Sequence, residues 1–211
     1  LDADLTLYHS PQTRSTGVRI LLEELGVPHR LDVRDLRSGQ GRDSAYLRVN
    51  PLGKVPALRH GDALITEQAA IYLYLADLFP ERGLAPPIGD PLRGPYLRWM
   101  VFYGSSFEPA VVDRALQREP GPKAMSPYGD FDAVLKTVVD ALTPGPYLLG
   151  ARHSAADVLW GSALNWTTSF KLVPEEPAIM AYLARINARP AVGTILAAEA
   201  ALSAELEAAR G

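Results

Sequence analysis

Residues 80 to 95, PERGLAPPIGDPLRGP, interrupt the chain with prolines and glycines that the interior of neither a helix nor a strand tolerates. The segment divides the 211 residues into two unlike halves. Before it, strand-like and helix-like patterns alternate. After it, only helical patterns recur. A chain divided in this way is restricted to a small mixed α/β domain followed by an all-helical one. Residues 1–80 form the first, 81–94 the linker and 95–211 the second. No internal repeat is apparent.

DLTLYHS reads as a strand: Leu5 and Leu7 alternate with Thr6, and Tyr8 suits a pleated surface. In STGVRILLEELG, Val18, Leu21, Leu22 and Leu25 share one helical face, with Ser15 a candidate N-cap and Gly26 a stop. VPHRLDVRDL is a second strand, RDSAYLRVN a short helix, and VPALRHGDALIT a hairpin turning at His60-Gly61-Asp62. EQAAIYLYLADLF is apolar almost all round, the pattern of a helix buried between layers. The order is β-α-β-α-β-β-α. Past the linker, YLRWMVFYGSSFEPAVVDRAL is a long helix bent near Gly104 or Pro109, and EPGPKAMSP is a loop. DFDAVLKTVVDAL is a helix and TPGPYLLG a turn. SAADVLWGSALNWTTSF is a helix striped by Ala155, Leu159, Ala163, Trp166 and Phe170, entered through a capping-box pair, Ser154 and Asp157. Two more helices close the chain.

Net charge is −3, so a nucleic-acid partner, which calls for a basic face, is not expected. No apolar run reaches the ~20 residues of a membrane span. LDADLTLYHS lacks the basic and apolar regions of a signal peptide, so a cytoplasmic, soluble protein is expected. There is no cysteine, which excludes disulfides and any protein-thiol nucleophile. The four histidines, at 9, 29, 60 and 153, are scattered singly without ligand spacing, so each reads as a surface or loop residue and no metal is expected.

One stretch resists a purely structural reading. NPLGKVPAL, residues 50–58, sets Pro56 at the start of a strand, where its missing N–H would cost a ladder bond. Either the strand is an edge, with an ordinary trans proline, or the backbone there pairs with something other than a neighbour. NPLGKVPAL, then LITEQAAIYLYLADLFP, then an all-helical half carrying HSAADVLW, together resemble the cytosolic glutathione transferases over essentially the whole chain. The resemblance implies a thioredoxin-like, glutathione-binding first domain and a helical domain for a second substrate.

It also implies roles for particular residues. The Val55–Pro56 bond would be cis, and Val55 would offer its N–H and C=O to the cysteinyl backbone of glutathione, as a strand does. Glu67 would pair the γ-glutamyl ammonium. Gln68, where relatives carry a hydroxyl, would help hold the carboxylate at a helix N-terminus. Without the family, Thr66 caps that helix and Glu67 complements its dipole. Lys54 is a candidate for the glycyl carboxylate. Some relatives use a histidine there that falls on Gly41, which leaves Gln40 and Arg42 as substitutes.

Relatives hold the glutathione sulfur with Tyr, Ser or Cys after the first strand. The hydroxyls available are Tyr8, Ser10, Thr13 and Ser15, with Thr13 and Ser15 leading as catalytic residues, Ser10 as a binding residue, and Tyr8 readable as a core aromatic. Arg14 aligns with the cysteine of Cys-type relatives. Lowering a bound thiol by about two pKa units needs roughly 2.7 kcal/mol. A hydrogen bond to a charged acceptor supplies ~1.5–3 kcal/mol and a helix N-terminus ~0.3–2, so one hydroxyl suffices. The electrophile is expected between the domains, with Tyr103 a wall residue chosen from Trp99, Phe102, Tyr103, Phe107, Trp166 and Phe170. The implied function is a homodimeric transferase that uses glutathione as co-substrate against hydrophobic electrophiles, a detoxifying chemistry without metal, nucleic acid or membrane. Its rivals are a non-catalytic glutathione-binding or regulatory relative and a glutathione-dependent peroxidase or isomerase. Thiol–disulfide exchange is ruled out by the missing cysteine.

Overall fold

The computed structural model describes residues 4–118 and 121–210. Two compact units emerge. One comprises the described residues up to Arg82 together with those from Arg189 onward, the other Gly83–Ala188. Glu119 and Pro120, inside the EPGPKAMSP loop, lie outside the described residues.

The first unit is a thioredoxin-like fold. Strand β1 (Leu5–His9) leads into helix α1 (Ser15–Leu25), and β2 (Arg30–Val33) returns parallel to β1. A short helix, α2 (Ser44–Leu47), precedes β3 (Ala57–His60) and β4 (Ala63–Ile65), and α3 (Gln68–Leu78) follows. The sheet order is β2-β1-β3-β4, with β3 antiparallel to both neighbours. β3 is therefore interior, not the edge that would make a proline harmless. Pro56 stands just before β3, so its missing N–H removes no ladder bond. Leu5 and Leu7 of β1 meet the α1 face of Val18, Leu21, Leu22 and Leu25 in the core, all at most 1% exposed. Gly26 ends α1 in the left-handed region, as its lack of a Cβ allows. β2 is shorter than its sequence pattern because the Asp35 carboxylate accepts from the N–H groups of Arg37 and Ser38 and turns the chain away. α3 buries Ile71, Tyr72, Leu75 and Ala76 and leaves its other side half-exposed, so it is not buried all round. The last helix, α9 (Pro190–Arg210), packs on α1.

The second unit is helical: α4 (Arg93–Phe102), α5 (Glu108–Ala115), α6 (Phe131–Leu142), α7 (Ala155–Ser169) and α8 (Pro177–Asn187). Between α4 and α5 the chain widens into a π-helical turn, Tyr103–Phe107, at weak helix formers Gly104-Ser105-Ser106. Pro109 falls in the first turn of α5, where no N–H is needed. Asp157 is fully buried at the start of α7. Its carboxylate accepts from the Ser154 N–H and hydroxyl, both at 2.9 Å, from the Leu148 N–H at 2.9 Å and from the Tyr182 hydroxyl at 3.1 Å. The α7 stripe fails at its end: Ala155, Leu159 and Ala163 are buried, but Trp166 is only half-buried and Phe170 is 72% exposed.

Candidate functional site

The turn from β1 into α1 is a knot of hydroxyls. Thr13 Oγ1 donates to the Ser10 carbonyl at 2.7 Å and accepts from the Ser15 N–H at 3.2 Å. Ser15 is thus the first residue of α1, not its cap: Arg14 holds the N-cap position and Thr13 satisfies the first orphan N–H. Ser15 Oγ lies 2.7 Å from Thr13 Oγ1, 2.8 Å from His9 Nδ1 and 3.1 Å from the Ser10 carbonyl, and it accepts from the Ser10 N–H at 3.2 Å. Ser15 is 0% exposed, whereas Thr13 is half-buried. Ser10 is buried and serves the knot through its backbone. Tyr8 is buried too, its ring against Tyr46 and its hydroxyl accepting from Arg59 Nε at 3.2 Å.

Behind this turn stands Glu199 of α9, 3% exposed. It accepts from the Gln12 N–H at 3.1 Å, Thr16 Oγ1 at 2.6 Å and Arg19 Nη1 at 2.5 Å, and His9 Nε2 lies 3.0 Å from it. Burial raises its pKa, but the hydrogen bonds from His9, Thr16 and the Gln12 backbone prevail and hold the carboxyl at about 2. Sequence reasoning missed this cluster. His9 is not a surface or loop residue but a wholly buried one, and Arg19 and Glu199 belong to helices far apart in the chain. Only the interruption of an alanine-rich helix by Glu199 could have drawn notice.

The second wall is the loop before β3. The Val55–Pro56 bond is cis. Tyr46 Oη and Asn50 Nδ2 donate to the Lys54 carbonyl at 2.7 and 2.8 Å. The Val55 side chain packs with Tyr8, Tyr46 and Ala57. Among the described residues, neither the N–H nor the carbonyl of Val55 is taken up by a hydrogen bond within the chain. A Cβ on Gly41 would meet the Gly53 carbonyl oxygen at 2.7 Å, and one on Gly53, at φ +63°, would meet the Gly41 carbonyl oxygen at 2.4 Å. Two loops thus touch glycine to glycine, which is why no histidine stands at 41. Gln40 Oε1 accepts from the Asp35 N–H, while Lys54 and Arg42 are exposed.

The third wall is the start of α3. Glu67 occupies its N-cap at φ +66°, exposed and without capping through its side chain. Gln68 Nε2 donates to the Arg14 carbonyl at 3.0 Å, which joins this helix start to the hydroxyl turn. The first unit therefore brings Ser10, Thr13, Ser15 and Gln68 together. Tyr103 belongs to the second unit and is 2% exposed, packed against Phe107 and Trp160. Trp160 is the hub of that aromatic core, in ring contact also with Trp99, Phe102 and Phe107, and the sequence reading does not single it out.

Among the described residues no group of His, Cys, Asp and Glu could hold a metal ion, and no helix is long and apolar enough to cross a membrane. Residues 3–77 match the family model of the glutathione S-transferase N-terminal domain. The chain is 31% identical over 202 residues to glutathione S-transferase GstA of Escherichia coli O157:H7, covering 92% of this chain and 98% of that one. A solved glutathione transferase from Methylococcus capsulatus str. Bath is 36% identical at a TM-score of 0.78, covering 93% and 98%. A sphingomonad glutathione S-transferase complexed with glutathione is 33% identical at a TM-score of 0.75, covering 92% and 98%.

Proposed function

Because the chain belongs to the glutathione S-transferase family, we propose that it binds glutathione on its first unit and activates the thiol with a hydroxyl of the β1–α1 turn. The observation that carries the reading is the backbone of Val55. Among the described residues its N–H and carbonyl are unused, and a peptide backbone such as that of glutathione pairs with such groups as a strand does. Glu67 supplies a carboxylate for the ligand's ammonium. Gln68 and the N–H groups opening α3 take the γ-glutamyl carboxylate, and Lys54 takes the glycyl one. Thr13 and Ser15, beside Ser10, form the sulfur end. The thiolate then attacks a hydrophobic electrophile, with residues 1–80 as the glutathione-binding domain and the helices α4 to α8 as the substrate-binding domain, α9 belonging with the first unit. Held in place and stripped of water, a thiolate needs no general base.

The working form in this reading is a cytoplasmic homodimer. Leu97 and Val101, one turn apart on α4, are 38% and 60% exposed, an apolar pair that a second copy would cover. Sedimentation at the mass of a single chain at micromolar concentration overturns this part.

A second reading, a glutathione-binding protein without conjugating activity, has one observation in its favour: the Thr13 proton already goes to the Ser10 carbonyl. Glutathione titration followed by ultraviolet thiolate absorbance between pH 5 and 9 separates the two. Transferase activity requires saturable binding with thiolate persisting well below the ~8.5 of a free thiol. Saturable binding without it leaves only the binding protein, and no binding removes both.

A further inference from the structure

Resting on the reading of glutathione binding above and deepening it, we propose that Asp35, backed by Arg210 of α9, is a positioning residue for the glycyl end of glutathione: it sets the loop that brings the Arg42 cation beside Lys54. That loop consists of two short 3-10 turns, Leu36–Ser38 and Gln40–Arg42, and such turns are too short to hold their shape alone. Asp35 takes part in five of its hydrogen bonds. Oδ1 accepts from the N–H groups of Arg37 and Ser38 at 3.0 and 3.3 Å. The Asp35 carbonyl accepts from the Ser38 hydroxyl at 2.9 Å and from the Gln40 N–H at 3.2 Å, and the Asp35 N–H donates to Gln40 Oε1 at 2.9 Å.

The other carboxylate oxygen faces the last helix. Arg210 Nε lies 3.0 Å from Asp35 Oδ2, with the two side chains 32% and 10% exposed. Arg210 Nε also donates to the Leu206 carbonyl of its own helix at 3.1 Å, which holds the guanidinium in place. A carboxylate buried to this extent is costly unless paired, and α9 supplies the cation. The brace has a fixed base, because Arg189 at the start of α9 is bidentate to Glu24 of α1 at 2.5 and 2.6 Å. At its far end the braced loop meets the loop that carries Lys54 and Val55. Gly41 touches Gly53 there, and Arg42 Cδ lies 3.5 Å from the place a Cβ on Gly53 would take. The Arg42 stem therefore lies over the residue that precedes Lys54. Among the described residues neither the Arg42 guanidinium nor the Lys54 ammonium has a hydrogen-bond or ion-pair partner. Two unpaired cations beside one bare glycine suit a carboxylate, and the glycyl carboxylate is the anionic group at that end of glutathione.

A purely structural brace would weaken every ligand of the first unit alike, so the test compares two ligands. Wild type, Arg210→Met and Asp35→Asn are titrated calorimetrically with glutathione and with γ-glutamylcysteine, the same molecule without its glycyl residue. Arg210→Met keeps an apolar stem and removes the charge. Asp35→Asn keeps an oxygen for the two N–H groups and loses the carboxylate's charge. Wild type is expected to prefer glutathione. Each variant is expected to lose about fivefold in glutathione affinity, the size of one ion pair, while γ-glutamylcysteine binds as it does to wild type. Equal losses for the two ligands overturn the proposal and leave Asp35 and Arg210 a structural pair, and so does a preference for glutathione that survives intact in Arg210→Met. If Asp35→Asn does not fold, Arg210→Met decides alone. A wild type that binds both ligands equally overturns the inference and leaves glutathione binding standing. A wild type that binds neither overturns that reading and the inference with it.

Discussion

Tyr46 donates its phenolic hydrogen to the carbonyl of Lys54 across 2.7 Å, and Asn50 Nδ2 donates to the same oxygen from 2.8 Å. In a trans peptide the carbonyl and the next N–H lie antiparallel in one plane. Two donors on the Lys54 oxygen therefore fix the direction of the Val55 N–H, the group read as a main-chain donor to glutathione. Burial, followed by the charge of Asp32 and the neighbouring Tyr8, outweighs the opposing pull of Arg34 and pushes the Tyr46 hydroxyl up to about 12, so it stays a donor at every working pH. Tyr46→Phe keeps the ring in the cluster of Tyr8, Val55 and Ala57. It is expected to raise the KM for glutathione about 5-fold, the equivalent of ~1 kcal/mol for one lost hydrogen bond, with kcat little changed. Steady-state kinetics at varied glutathione checks this, and a fall in kcat at constant KM contradicts it.

Gly41 and Gly53 set the same loop from the other side. A Cβ on Gly41 would sit 2.7 Å from a backbone oxygen and 2.8 Å from Leu36 Cδ2, and backbone cannot swing aside as a side chain does. Gly41→Ala is expected to cost about 1–3 kcal/mol, the range of overpacked sites, and to raise the glutathione KM as the 50–54 loop is displaced. Urea unfolding beside kinetics measures both. A Gly41→Ala variant as stable as wild type would mean that the loops part freely.

Much of this was legible beforehand, for reasons that are local. The β1, α1 and α3 patterns carry their own periodicity, and NPLGKVPAL marks its loop by turn chemistry. The Ser154–Asp157 pair sits within one helical turn. What stayed hidden is long-range. Nothing near His9 shows that a carboxylate in the last helix meets it, and a lone histidine after a strand reads as a surface residue. The interior place of β3 also depends on pairing with β1 and β4 that no local signal encodes. Ser15 looked like a helix cap because serine caps helices. The structure gives that task to the Thr13 side chain instead, a difference of two residues that local propensity does not resolve.

Glu67 is held at φ +66° and ψ 117°, a region that non-glycine residues rarely adopt, at a cost of order 1–3 kcal/mol. Its position at the opening of α3 makes that strain part of the site in the reading above. Glu67→Gly relieves the strain, less ~0.5–1 kcal/mol of added chain entropy, whereas Glu67→Ala removes the carboxylate and keeps the strain. The glycine variant is expected to melt above the alanine variant, while both lose glutathione affinity to a similar degree. Thermal unfolding with calorimetric titration tests the pair. An alanine variant that binds glutathione as wild type does would remove Glu67 from the ligand's ammonium.

Acid sensitivity follows from Glu199. Its carboxyl stands at about 2 in the folded chain against an ordinary 4.5, so the folded state gives up this proton more readily than the unfolded one. The stabilisation is present in full above about pH 4.5 and is lost as pH falls toward about 2. A shift of that size corresponds to roughly 3 kcal/mol. Asp157 acts with the opposite sign. Burial raises its pKa in the folded chain, so its contribution is lost as pH rises through that raised value, and it cannot cause the loss in acid. The urea midpoint of wild type is expected to drop steeply between pH 5 and pH 3. That of Glu199→Gln, lower at pH 7 because Arg19 and His9 lose their charged partner, is expected to fall much less over the same interval. Equal slopes in the two proteins would place the acid-sensitive group elsewhere and leave the Glu199 carboxyl near its ordinary pKa.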